Sequence, residues 1–254
     1  MKKKLSGIIT ALDVELSGII EILEKKQCER IGSRDYFRGS IYGVETVAAA
    51  SSIGKVAAAS CCAVLLQHYH VDEIIALGTC GALAPQLRIG DIVLAKSLVQ
   101  HDFDGRPVLK RFATPLLKKP FFEIDSNQLH RKATALSKII EDRSIISDIS
   151  PEKLTRFQIS SPRLFNGVVA TGDQVISTKE QKDTLLELIP DATCVDMEGG
   201  ALAQVCHEYK KPLTVIRVVS DTATQSSLAN FSLFTRDIWH PFSKEILRAI
   251  YNDG

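Results

Sequence analysis

Hydrophobic residues along this chain follow two rhythms. Compact apolar runs read as strands: "LSGIITAL" (5–12), "VDEIIALG" (71–78), "IGDIVLAKSLVQHD" (89–102) and "PLTVIRVVSD" (212–221). "NGVVATGDQVIS" (166–177) reads as a strand running into a loop, and "YFRGSIYGVETVAAASSIG" (36–54) as strand, turn and strand. Between them apolar positions recur every three or four residues. That spacing predicts helices over "ELSGIIEILEKK" (15–26), "KVAAASCCAVLLQHYH" (55–70), "KEQKDTLLELIP" (179–190, stopped by Pro190) and "ALAQVCHEYKK" (201–211). A closing helix is predicted over "FTRDIWHPFSKEILRAIYND" (234–253). Strands alternating with helices predict a parallel or mixed sheet covered on both faces. The exception is roughly residues 101–166, too long for an idle loop. It is expected to hold a helix, "SNQLHRKATALSKIIEDR", and a substrate-shaping segment.

Composition narrows the function. The 254 residues are 45% apolar with a net charge of +1, so a large core is available and no nucleic-acid footprint is expected. "KRFATPLLKK" (110–119) reads as a solvated loop. No run of about 18 apolar residues suggests a membrane span. Asp13 and Glu15 interrupt the only signal-like stretch, so a cytoplasmic protein is expected. The six cysteines form no CxxC pair and read as reduced thiols, mostly buried. His68 and His70 lack a carboxylate–cysteine cluster, so they read as a helix end and not as metal ligands.

Chemistry is expected beyond strand ends. Five such ends carry polar or small residues: Asp13 and Glu15, "LGTCGAL" around Thr79, Gly172-Asp173, Met197-Glu198, and Ser220-Asp221. "LGTCGAL" matches no phosphate-binding glycine motif, although its small residues would let a ligand approach the backbone. Arg217 lies inside an apolar strand and requires a carboxylate partner. "CVDMEGGALAQVC" (194–206) poses the sharpest question: two acids, then two glycines, at the start of a buried helix. Glycines there cost about 1 kcal/mol each against alanine. Taken singly these features have bland readings. Asp173 could hold a turn, Asp221 could cap a helix, and Glu198 could balance a helix dipole.

Together, "GIITALDVE", "SSIGKVAAA", "LGTCGALAPQLRIGDIV", "VVATGDQVIS", "VDMEGGALAQVC" and "VIRVVSDTA" resemble, in order and spacing, the nucleoside phosphorylase/hydrolase superfamily. Within it they look most like methylthioadenosine/S-adenosylhomocysteine nucleosidases. The resemblance implies one domain over residues 1–254 with a variable insertion at about 101–166. Its fold would be α/β, a three-layer αβα sandwich around a twisted mixed sheet. It also implies a homodimer, a purine nucleoside as the small-molecule partner, no metal or organic cofactor, and a place in nucleoside catabolism and methionine salvage. By the same resemblance Glu198 and Met197 meet the ribose, Asp221 protonates the departing adenine at N7, and Glu15 activates water. Arg217 positions the carboxylates, and Thr79 lies near the sugar and water. Leu12 and Ile53 line the sugar or alkylthio side. Val175 and Ile176 flank the base, Phe231 lies near the purine, and Ser220 joins the substrate-binding set.

Some positions depart from the pattern. Val14 replaces a frequent third acid, and Val175 a frequent stacking aromatic. "FDGRPVLKRFATPLLKKPFFEID" replaces a loop that often shapes the 5′ pocket, sometimes across a dimer interface. Phosphorylases of the superfamily commonly carry an arginine in the first loop and another two residues before the "LGTCG" glycine. Here the first loop has none, and the second position is Ala76. A hydrolase is therefore the expectation. The alternatives are a phosphorylase whose anion site is restored by Arg106 or Lys110, and a silent nucleoside-binding protein.

Overall fold

The computed structural model describes residues 4–115, 117–222 and 227–252. Among these residues ten strands join in one mixed sheet. β1 (Leu5–Thr10) lies between β4 (Val44–Ala50) and β5 (Glu73–Ala82), parallel to both. β3 (Arg34–Ile41) and β2 (Glu24–Ile31) extend the sheet antiparallel beyond β4. On the other side β10 (Leu213–Asp221) runs parallel to β5 and antiparallel to β6 (Ile92–Gln100). β6 continues to β8 (Leu164–Thr171), β8 to β9 (Ala192–Asp196), and β9 returns antiparallel to the end of β5. Five strands thus close a ring, while β1, β4, β3 and β2 remain an open sheet. Short β7 (Phe121–Glu123) hangs on β6.

Helices cover both faces. On one, α1 (Asp13–Glu21), α3 (Ser126–Glu141) and α8 (His240–Tyr251) bury Leu16, Ile19, Leu136, Ile139, Phe242, Ile246 and Leu247 against the strands. On the other, α2 (Lys55–Gln67) and α6 (Gly199–Glu208) contribute small residues: Ala58, Cys61, Cys62, Ala201, Ala203 and Cys206. Cys62 and Cys206 meet at 3.8 Å between these helices as free thiols. α5 (Lys179–Leu188) closes a third cluster over β8 through Leu185 and Ile189.

Several elements differ from the sequence expectation. The first helix ends at Glu21, not Lys26, and Glu24–Ile31 is an exposed edge strand. Its polar residues face solvent, which a charged edge tolerates. β9 was not expected as a strand. The closing segment is not one helix. α7 (Ser227–Phe234) leads into a wide π-helical turn, Thr235–Trp239, before α8 begins with Pro241 in its first turn. Proline lacks the N–H that an uninterrupted helix would need there. "KRFATPLLKK" is not wholly solvated, because Phe112, Ala113 and Thr114 are buried. The 101–166 region also holds α4 (Pro151–Arg156) besides the expected helix. Five cysteines are buried, but Cys28 on β2 is exposed. His68 ends α2, within 3.4 Å of Glu29, and His70 follows with φ +55°. No helix among the described residues is long and apolar enough to cross a membrane.

Candidate active site

Loops after β1, β4, β8 and β9 converge with the body of β5 and the end of β10 on a cavity of about 290 Å³. Its walls include Leu12, Glu15, Ile53, Thr79, Val175, Ile176, Met197, Glu198, Arg217, Ser220, Asp221 and Phe231. Every residue expected at the site is on this surface.

The polar floor begins at Arg217, which is 3% exposed in the centre of β10. Its Nε and Nη2 donate to Asp196 Oδ2 at 2.9 and 2.8 Å. Burial alone would lower the arginine's pKa, but the charges of Asp196, Glu198 and Glu15 hold it above its ordinary value. Asp196 also accepts the Gly199 N–H at 3.0 Å and the Thr171 hydroxyl. Thr171 Oγ1 in turn accepts the Gly200 N–H at 2.7 Å. The first free amides of α6 are therefore satisfied by Asp196 and Thr171.

This explains the two acids and two glycines. Glu198 sits at the N-cap of α6 without making a side-chain cap hydrogen bond. Its Oε1 instead accepts the Gly54 N–H at 3.0 Å, across from the start of α2. Glu198 is 8% exposed, and its pKa is pushed up to about 7. Burial is the main cause and the charge of Asp196 the next, opposed by Arg217 and the Gly54 hydrogen bond. A Cβ at Gly199 would lie 2.6 Å from Asp196 Oδ2, and one at Gly200 would lie 3.0 Å from Gln100 and Thr171. The glycines make room for the protein's own Asp196, Thr171 and Gln100 side chains.

Glu15 is the third buried carboxylate of the cavity. Oε2 turns back over the first turn of α1 to accept the Ala11 and Leu12 N–H groups, both at 3.1 Å. Oε1 accepts the Thr79 N–H at 3.0 Å and its hydroxyl at 3.2 Å. Burial raises its pKa against the pull of Arg217 and these amides. Gly78 lets the two charges approach: a Cβ there would be 3.0 Å from Arg217 Nη1 and 3.2 Å from Glu15 Oε1. Asp221 stands apart at the end of β10, after a bulge that follows Val219, and its Oδ2 accepts the Ser220 hydroxyl at 3.0 Å. Apolar and thioether groups supply much of the remaining wall. Ile53 and Val175, each about half exposed, lie at the mouth, and Ile176 is buried. Among the described residues no three His, Cys, Asp or Glu side chains gather as a metal site.

The model of the phosphorylase superfamily matches residues 6–252. A 5′-methylthioadenosine/S-adenosylhomocysteine nucleosidase of Shewanella pealeana is 30% identical over 225 residues, 89% of each chain. The chain belongs to that nucleosidase family of the phosphorylase superfamily. Solved structures agree. The Streptococcus pyogenes S-adenosylhomocysteine nucleosidase, in complex with 5-methylthiotubericidin, superposes with a TM-score of 0.84 at 27% identity, covering 99% of this chain and 97% of its own. Helicobacter pylori futalosine hydrolase gives 0.81 at 25% identity, covering 99% and 98%.

Sequence reasoning missed some residues that build this nucleosidase-family cavity. Asp196 was noted as an acid but not as the partner of Arg217. Asp173, assigned a turn or a role at a strand end, caps a helix from another part of the chain: its Oδ1 accepts the Lys55 N–H at 2.8 Å. Cys80 and Gln174 also line the cavity. Arg106 pairs with Asp104, and neither Arg106 nor Lys110 is among the cavity's described lining residues. No residue of the 101–166 region is among them either.

Proposed function

We propose that this protein is a purine nucleoside N-ribosyl hydrolase, cleaving 5′-methylthioadenosine and S-adenosylhomocysteine to adenine and the corresponding 5-thioribose. The family membership supports the substrate class. The observation that carries hydrolysis over phosphorolysis is the state of Arg217. It is the one cation among the described lining residues, and its Nε and Nη2 already donate to Asp196. A phosphate dianion needs arginines or oriented donors. Ala76, fully buried, supplies neither, and Glu15 would repel the anion.

In the proposed reaction the C1′–N9 bond breaks and its electron pair leaves with adenine. Asp221 supplies a proton at N7, so the base departs neutral. Positive charge develops on the ribose, beside Glu198 and Met197, and a hydrogen bond from the sugar hydroxyls to ionised Glu198 strengthens with it. Water attacks C1′ and gives its proton to Glu15, whose raised pKa suits a base. Thr79 and Arg217 hold Glu15 in place. Leu12 and Ile53 face the 5′ substituent, and Val175, Ile176 and Phe231 face the purine, with Ser220 oriented on Asp221. No metal or organic cofactor takes part.

The assembly we propose is a homodimer, working in the cytoplasm on nucleoside catabolism and methionine salvage. Supporting it, Ile53 and Val56 beside the cavity mouth are 52% and 82% exposed, and Val108 on the 101–120 loop is 87% exposed. Covered by a second copy, they would complete the 5′ pocket that one chain leaves open. Incubation with methylthioadenosine, S-adenosylhomocysteine, adenosine and inosine, with and without phosphate, tests the reading. Free thioribose and adenine in both conditions are expected. A ribose 1-phosphate formed only with phosphate would make the protein a phosphorylase, and no turnover would make it a binding protein. The likeness to futalosine hydrolase adds futalosine to the panel.

A further inference from the structure

Beside the cavity, three loops are tied by a closed circuit of hydrogen bonds. Lys55 Nζ donates to Asp102 Oδ1 at 2.6 Å, and both side chains are largely buried, 18% and 14% exposed. The Asp173 N–H donates to Asp102 Oδ2 at 2.9 Å. Asp173 Oδ1 accepts the Lys55 N–H, closing the ring. The next amide toward the N-terminus, that of Gly54, is the one that holds Glu198. Gly54 has φ +97°, and a Cβ there would lie 3.0 Å from Asp173 Oδ1. The Gly54–Lys55 segment therefore presents adjacent amides to Glu198 on the sugar side and to Asp173 on the base side. Directly after Asp173 come Gln174, Val175 and Ile176, which line the cavity.

We infer that Lys55 and Asp102 are positioning residues, setting the Gly54 amide against Glu198 and the 173–176 segment against the base. The inference rests on the nucleosidase reading of the cavity. Its logic is electrostatic. Asp102 stays ionised because Lys55, the Asp173 N–H and His101 outweigh the cost of its burial. Without Lys55, a largely buried carboxylate loses its cation, and the circuit opens at the link that sets the height of α2's first turn. Glu198 then faces Asp196 from β9 and Glu15 from α1, both repelling it, with Arg217 from β10 as its remaining support. Losing the Gly54 donor disfavours the ionised form of Glu198.

The test uses the intact protein with Lys55→Met, Lys55→Arg and Asp102→Asn. The first readout is the pH midpoint of the Glu198 carboxyl, followed by carbon NMR and assigned with Glu198→Gln. It should rise by about one unit in Lys55→Met and Asp102→Asn, as expected for a weakened hydrogen bond to a charged group. Lys55→Arg should return it toward the parent value. The second readout is adenine release from methylthioadenosine: kcat/KM should fall about 10- to 100-fold in the first and third variants, with its acid limb moved to higher pH. An unchanged midpoint in folded Lys55→Met overturns the inference. So does loss of fold in both Lys55→Met and Asp102→Asn, which would make the pair a strut only. A parent protein that releases no adenine overturns the nucleosidase reading instead, and the NMR midpoint still decides the positioning role.

Discussion

At the scale of residues, the cavity separates carboxylates by their surroundings. Glu198 is crowded by burial and by Asp196, so its ionisation opposes folding. Its folded pKa lies above the ordinary value of 4.5, at about 7. The folded protein therefore binds the extra proton, and the cost of ionising Glu198 is absent below pH 4.5, grows up to about 7, and is complete above it. Glu198→Gln should raise the melting temperature at pH 8 by a few degrees and leave it nearly unchanged at pH 4. The same substitution should lower kcat/KM, since the sugar contact loses its charge. Calorimetry at the two pH values checks the first half, and a melting temperature that rises equally at both would remove Glu198 ionisation as the cause. The parent protein's kcat/KM should rise with pH through about 7 as Glu198 ionises. Asp221→Asn should reduce turnover by about 10²- to 10⁴-fold with little change in melting temperature. Near-parent rates in that variant would take Asp221 out of the mechanism. Arg217→Met is expected to be mainly a folding mutant, losing about 3–5 kcal/mol, because Asp196 would be left buried without its cation. Urea unfolding should register it before any assay does.

The elements place these residues through close backbone packing. Gly199→Ala would put a methyl carbon 2.6 Å from Asp196 Oδ2, so either α6 or the Arg217 pair must move. A loss of about 1–3 kcal/mol, together with weaker substrate binding, is expected from such overpacking. If Gly199→Ala left both unchanged, the small residues would have another purpose. The sequence made the ends of β1, β8 and β10 legible, because an apolar run stopping at an acid is visible in one dimension. It could not show that Arg217 would select Asp196, since Asp196 and Glu198 differ only by two positions along one turn of chain. β2 left a hint in "IGSR", where Gly32 and Ser33 join strands pairing Ile31 with Arg34, but its exposed "EKKQCER" carries no apolar alternation. Pro241 similarly marked the break before α8. The circuit of Lys55, Asp102 and Asp173 was invisible, because its members are far apart in sequence and each is individually ordinary for a surface.

For the whole molecule, the open cavity mouth predicts self-association. Sedimentation should give a dimer, and Val56→Asp should shift it toward monomer while raising KM for methylthioadenosine more than for adenosine, whose 5′ group is smaller. A stable monomer with unaltered KM would remove the second copy from the 5′ pocket. The cavity's walls also run from Ala11 on the first loop to Phe231 on α7. During synthesis the amino-terminal carboxylate thus emerges long before the last wall. At about 5–20 residues per second, the interval is on the order of ten seconds or more. β4 and β5 follow β1 early in it, but β10 and α7 come only near its end, so the nascent chain holds Glu15 without a ligand-competent pocket around it. A ribosome-tethered chain stalled before Phe231 has cleared the exit tunnel should retain no methylthioadenosine analogue, whereas one extended by a linker should. Binding is in this sense a readout of whether translation has carried Phe231 clear of the ribosome.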